Sequence, residues 1–279
     1  MNDNLNIDQL ALSEAVKQAW HQQVGPQRTS RLDGAQIKQL TQSCQLSIVE
    51  LAEQLLPIAA SYAVTPISHF NVGAIAIDQH GQLFMGANYE QTQVPLSLTL
   101  HAEQAALFNA LNHAAAPLRH LVVNAAPCGH CRQFIRELPE YNNLDVSFSG
   151  QHFQFEQLLP HSFGPNDLGI SVPLISYPET TDVQSLSKHS YAPYSHCQIG
   201  LLAKRAETPL ASSWYVENAA FNPSASPLTL LLSQLHLNGY QLAQVESIDI
   251  ACNQASISFQ DELNTFCALH PQIKIQKFN

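Results

Sequence analysis

Basic residues are scarce in this chain. Its 279 residues carry 12 Lys+Arg against 22 Asp+Glu, a formal net charge of −10, and only 12% of them are charged. No basic cluster is longer than the pair Lys204-Arg205. The surface that neutralises phosphates, on which nucleic-acid binding rests, is therefore missing, and the expected substrate is small and not highly anionic. No apolar run approaches the ~18–20 residues of a membrane-spanning helix, so no membrane partner is expected. Cysteines number six. The first residues, Met1-Asn2-Asp3-Asn4, are polar and acidic where a secretory signal is basic and then apolar. The expected compartment is the cytoplasm, where thiols stay reduced and a close cysteine pair is a metal or redox site rather than a cross-link. With 45% hydrophobic residues, a chain this long builds one large or two ordinary domains without a disulfide or metal staple.

Apolar spacing is helical from Ile7 to about Leu56, through Leu10, Val16, Trp20, Ile37, Leu40, Leu46, Val49 and Leu55. Between Phe70 and Glu90 the texture turns to strand. Val72 to Ile77 and Leu83 to Tyr89 flank Asp78-Gln79-His80-Gly81, the pattern of a hairpin. A helix is expected over 100–111, a strand at 121–123, a helix over 129–138 stopped by Pro139, and a strand at 146–148. Strands alternating with helices of this length indicate a three-layer α/β/α sandwich with a mixed sheet. The polar stretch Tyr177–His189 reads as a linker, after which the chain begins again. Tyr62, Pro66, Ser68, His69 and Gly73 are echoed by Tyr191, Pro193, Ser195, His196 and Gly200, and Leu98-Thr99-Leu100 by Leu228-Thr229-Leu230. The Ser68 and Leu98 echoes lie 127 and 130 residues on, so a duplication is expected. In that register Leu231 and Ser233 replace His101 and Glu103, and the second copy has lost whatever chemistry the first performs. The expected divisions are a helical segment over 1–47, a catalytic domain over 48–180 and a degenerate copy over 181–279.

The informative constellation is His101-Ala102-Glu103 followed by Pro127-Cys128-Gly129-His130-Cys131. Two thiolates and one imidazole suit Zn²⁺, and cysteines three apart at a helix start both turn toward one ion, their thiolates favoured by the helix dipole. Inside a regular helix His101 and Glu103 diverge by roughly 200°, so they share a site only at a helix entry. Four readings compete here: a redox dithiol, a structural zinc site, a satisfied core histidine with no ligand role, and a hydrolytic zinc site with an open fourth position. Only the last gives Glu103 a role, as the base beside an activated water. His130, held in the short loop between the cysteines, is poorly placed to close a structural site.

These residues, together with Ser68-His69-Phe70-Asn71-Val72-Gly73-Ala74, Gly86-Ala87-Asn88 and Phe163-Gly164-Pro165-Asn166-Asp167-Leu168, resemble the larger, dimeric bacterial form of cytidine deaminase. The resemblance covers nearly the whole chain. It implies a duplicated deaminase fold, one Zn²⁺ per chain on His101, Cys128 and Cys131, and hydrolytic deamination of cytidine and deoxycytidine in pyrimidine salvage. Glu103 is then the proton carrier. Asn88 and Glu90, two apart and so on one face, grip the ribose 3′-hydroxyl, and Phe70 faces the pyrimidine. Ala102 and Ala126 join the substrate-binding set. Phe163 reaches into the neighbouring subunit, which makes the partner a second copy of the chain in a homodimer with shared active sites. Where the family usually has a hydroxyl residue before Pro-Cys, this chain has Ala125-Ala126, which leaves the main-chain carbonyl of Ala126 to accept from the 4-amino group. The competing functions are a polynucleotide-editing deaminase, disfavoured by the charge, and a catalytically dead zinc-binding interaction module, disfavoured by the presence of Glu103.

Overall fold

Each of the three N-terminal helices starts at a side-chain cap. Ser13 caps α1 (Glu14–Gln23), Asp33 with Gln36 closes a capping box on α2 (Gly34–Cys44), and Ser47 with Glu50 closes another on α3 (Ile48–Ala60). A computed structural model of the chain describes residues 5–253 and 255–278, and the Met1–Asn4 stretch lies outside them. The helical segment is interrupted by β1 (Arg31–Leu32), which pairs antiparallel with β3 (Leu83–Ala87). The expected hairpin is β2 (Gly73–Asp78) and β3. Its turn is tied by Asp78, whose carboxylate accepts from the backbone N–H groups of His80 and Gln82, and Gly81 supplies the left-handed residue at φ +77°.

Around this hairpin the first sheet runs β1-β3-β2-β4-β5-β6, with β4 (Leu118–Val123), β5 (Asp145–Phe148) and β6 (Gln151–Gln154). Only β4 and β5 are parallel, joined by a crossover that contains α5 (Gly129–Ile135). One face is covered by α3 and the other by α4 (Ala102–Leu111), which explains why every residue of β2 and β3 is buried. The short helix α6 (Phe155–Leu158) follows the sheet. A second sheet runs β10-β9-β7-β8, built from β7 (Ile199–Arg205), β8 (Thr208–Trp214), β9 (Ser247–Cys252) and β10 (Lys274–Phe278), with α7 (Val183–Lys188), α8 (Pro227–Leu237) and α9 (Gln260–Leu269). It repeats the order β5-β4-β2-β3 and the same pairing senses. The duplication is therefore present in topology. α4 and α8 pack on each other between the sheets, where Phe108 and Trp214 meet at 5.1 Å between ring centroids. Enclosed on both sides, α4 is buried at every residue, its Glu103, Gln104 and Asn109 included. No helix among the described residues is long and apolar enough to cross a membrane.

Two expectations change. The Tyr177–His189 linker contains α7, the shortened counterpart of α3. Its capping Asp182 accepts from Gln184 and Ser185, and Gly200 lies so close to it that a Cβ would fall 2.4 Å from the Ser187 nitrogen. Gly73 makes the same approach to α3, at 2.4 Å from the Ala60 nitrogen. The internal register also shifts. Val64 bridges Tyr89 as Tyr191 bridges Val216, so Tyr191 is the counterpart of Val64 and not of Tyr62. α4 begins after His101 and α8 after Ser226, so Ser226 and Leu228 stand where His101 and Glu103 stand, not Leu231 and Ser233. The connection 217–226 is two residues shorter than 90–101, and the repeated Leu-Thr-Leu is coincidental.

The tightest contact in the first sheet is at Gly86, where a Cβ would lie 2.0 Å from the Ala106 nitrogen and 2.5 Å from the Ala102 oxygen. α4 rests directly on β3 there. Overpacking of this kind costs ~1–3 kcal/mol, and at ~2–4 °C per kcal/mol Gly86→Ala is expected to lower the thermal midpoint by about 2–12 °C. Gly129, at the start of α5, has open space around its Cα. Gly129→Ala should leave the midpoint unchanged or raised, and calorimetry of the two variants side by side checks the contrast.

Candidate metal centre and active site

His101 is the N-cap of α4, with extended backbone at φ −84° and ψ 156°, and Glu103 is the second residue inside the helix. That change of conformation lets the two side chains converge instead of diverging. Cys128 is likewise the N-cap of α5 and Cys131 its third residue. Two helix N-termini thus meet, one descending from β3 by way of the 88–101 segment and the other from the end of β4. His101 Nδ1 lies 3.4 Å from Cys128 Sγ and 3.3 Å from Cys131 Sγ, and the sulfurs are 3.6 Å apart. For Zn–S ≈ 2.3 Å and Zn–N ≈ 2.0–2.1 Å, the edges of a tetrahedron are about 3.6–3.8 Å, so the donor set fits the ion in both chemistry and spacing. These three form the one group of metal-ligand residues found among the described residues. His130 stands outside it, its ring stacked on that of His101 at 5.2 Å.

The electrostatics are those of a site prepared for a cation. Hydrogen bonding to Cys131 and His101 pushes the Cys128 thiol down to about 3, and the same pairing with burial pushes Cys131 up. Burial also raises the carboxyl of Glu103, which is 4% exposed and reaches Cys131. A divalent cation bound here would supply the positive charge that favours thiolate on both sulfurs.

Beside this group lies a cavity of about 270 Å³ lined by Phe70, Asn88, Glu90, His101, Glu103 and Ala126, with Val72, Thr99, Ala102, Ala125 and Cys128. It is at the small end of ligand pockets. Asn88 and Glu90 are both buried and both engaged with the 67–72 loop. Asn88 donates to the Phe70 carbonyl at 2.9 Å and accepts from the Val72 N–H at 2.9 Å. Glu90 Oε2 accepts from the N–H groups of Ile67 and Ser68 at 2.9 and 3.0 Å. Sequence reasoning missed this bracing, which depends on how the loop folds back. It also missed Val72 and Thr99, ordinary residues whose only signal is their nearness to Phe70 and His101. Phe70 is 61% exposed at the cavity mouth rather than packed in the core. Phe163 is not among the lining residues. It is half-exposed, its carbonyl accepts from Gln133, and the following Gly164 packs against the Arg136 guanidinium.

Two segments, 48–142 and 155–262, match families described as cytidine and deoxycytidylate deaminase zinc-binding regions. A cytidine deaminase of Photorhabdus laumondii is 41% identical over 77% of each chain, and one of Haemophilus influenzae is 34% identical over 89% of each. The chain belongs to the cytidine deaminase family. Its second copy departs from the family's metal chemistry at the position equivalent to the metal group. There the cap of α8, Ser226, donates to the carboxylate of Glu262, the third residue of α9, at 2.6 and 2.7 Å. A hydrogen bond closes the junction that the first copy leaves to a metal. The expected content is about one zinc per chain, measured by plasma mass spectrometry after dialysis. Cys128→Ala or Cys131→Ala should reduce it to a small fraction, because two protein ligands hold zinc weakly.

Proposed function

We propose that this chain is a cytoplasmic zinc-dependent cytidine deaminase that converts cytidine and 2′-deoxycytidine to the uridines and ammonia, with 48–180 as the catalytic unit and 181–279 as a non-catalytic copy. The observation that carries this reading is the convergence of a three-donor group, a buried Glu103 and a small cavity at two helix N-termini. In the proposed roles, His101, Cys128 and Cys131 hold Zn²⁺, which supplies Lewis acidity that brings the pKa of water to about 7. Glu103 takes a proton from the water that attacks C4 and delivers it to ring N3. It then carries the proton of the new C4 hydroxyl to the 4-amino group, which leaves as ammonia as the C4–N bond breaks and the carbonyl forms. Its burial keeps that proton from exchanging with solvent.

Asn88 keeps one amide proton and Glu90 further lone pairs beyond their bonds to the loop, which suits them to the ribose 3′-hydroxyl. Phe70 stacks on the pyrimidine, the Ala126 carbonyl accepts from the 4-amino group, and Ala102 forms the floor. Phe163 is half-exposed and outside the lining of its own cavity, on a turn fixed by the Gly164 N–H donating to Asp167. In a two-fold dimer that turn covers the partner's site, so each active site is shared.

Loss of cytidine absorbance on incubation with the purified protein tests the reaction. Glu103→Ala should keep zinc while losing more than the ~10²–10⁴-fold that a single proton transfer contributes. Turnover within tenfold of wild type would remove Glu103 from its role. Refolding Glu103→Ala chains together with Phe163→Ala chains should restore about a quarter of wild-type activity, since half the dimers are mixed and each mixed dimer has one intact site. No recovery, with subunit exchange proven and both parents inactive, contradicts the shared site.

A further inference from the structure

Glu137 lies just past Arg136, the C-cap of α5, and is 2% exposed, although a carboxylate is disfavoured both by burial and by the negative end of a helix. Its three hydrogen-bond donors all come from the second copy. Tyr191 Oη donates at 2.8 Å, Tyr194 Oη at 3.2 Å to each oxygen, and the Ala219 N–H at 2.5 Å. The donors are themselves held. Glu217, the counterpart of Glu90, accepts from the N–H groups of Tyr194 and Ser195, as Glu90 does from Ile67 and Ser68. The position that braces the substrate cavity in the first copy here fixes a tyrosine aimed at Glu137.

The segment 217–224 reaches both helices that carry the metal group. Asn218 Nδ2 donates to the Gln133 carbonyl in α5 at 2.9 Å. In α4, Gln104 Nε2 donates to the Pro223 carbonyl at 3.0 Å, while Gln104 Oε1 accepts from the His101 N–H at 3.3 Å. Cys131 stands four residues, about 6 Å of helix, before the last residue of α5, and Glu137 lies two residues past that end. Tilting α5 at Glu137 therefore moves the cysteines relative to His101.

The geometry points to Glu137 as a positioning residue, the joint through which the second copy fixes the cysteine-bearing helix against the histidine-bearing one. The inference rests on the reading of the first copy as the zinc deaminase and gives the second copy a role in that chemistry. Misplacement of reacting groups by about 1 Å costs up to roughly 10²-fold. In the folded, zinc-loaded protein, Glu137→Gln and the milder Tyr194→Phe are expected to lower kcat about ten- to hundredfold with KM for cytidine within about twofold. Zinc release to a chromogenic chelator, and amide exchange over 129–135, should both accelerate about tenfold. Adding Tyr191→Phe to Glu137→Gln should cost less than Tyr191→Phe costs alone, because the amide offers one accepting oxygen where the carboxylate offers two. Wild-type turnover and zinc content, measured first, test the deaminase reading separately, and amide exchange tests the joint even without turnover. Folded variants with wild-type release, exchange and kcat would overturn the inference, as would a lowered thermal midpoint with those three quantities unchanged.

Discussion

The site depends on one constraint, the close seating of α4 on β3. Where helix backbone meets strand backbone at Gly86, no side chain on β3 can intervene, and the Ala102, Ala105 and Ala106 side of the helix is correspondingly small. That contact sets the height at which α4 begins, and so where the extended cap residue His101 presents its Nδ1. α5 enters the same point from the end of β4, and the two positive helix ends favour thiolate sulfur and carboxylate there. The metal group is the product of a packing distance, two caps and a crossover, none of which is itself chemical.

The two copies use one topology for different ends. Both sheets have the same strand order, both lay a helix on a strand glycine, and both tie a loop to a glutamate, Glu90 in one and Glu217 in the other. At the junction of helix ends they diverge. Cysteine and histidine bring three metal-ligand atoms together, whereas Ser226 and Glu262 satisfy each other directly. Elsewhere in the second copy, Tyr215 stands where Asn88 stands and packs on Phe259, the counterpart of Cys128, at 4.8 Å between ring centroids. Where Asn88 and Cys128 border a cavity in the first copy, the counterparts in the second are two aromatic rings in contact.

Much of this was legible because the strongest signals are local. The Asp78–Gly81 turn and the His-x-Glu entry each depend on a few adjacent residues whose backbone preferences are strong. The metal group was legible because Cys-x-x-Cys restricts geometry so sharply. What escaped depends on contacts between distant segments. The bonds from Asn88 and Glu90 to the 67–72 loop, the donors converging on Glu137, and the short strands β1, β6 and β10 leave little trace in periodicity. The register between the copies was misread near α8 because a two-residue shortening of a loop moves a helix start without altering its apolar pattern. The helix α7 was read as linker because six polar-rich residues carry too little periodic signal.

The central claim is an open three-ligand zinc centre confined to the first copy. Anomalous diffraction at the zinc edge from crystals of the holoprotein tests it most directly. The account predicts one peak per chain, about 2.0–2.3 Å from His101 Nδ1, Cys128 Sγ and Cys131 Sγ, with the fourth position taken by solvent and no peak between Ser226 and Glu262. A peak closed by a fourth protein ligand such as His130, or located away from these three residues, would contradict it.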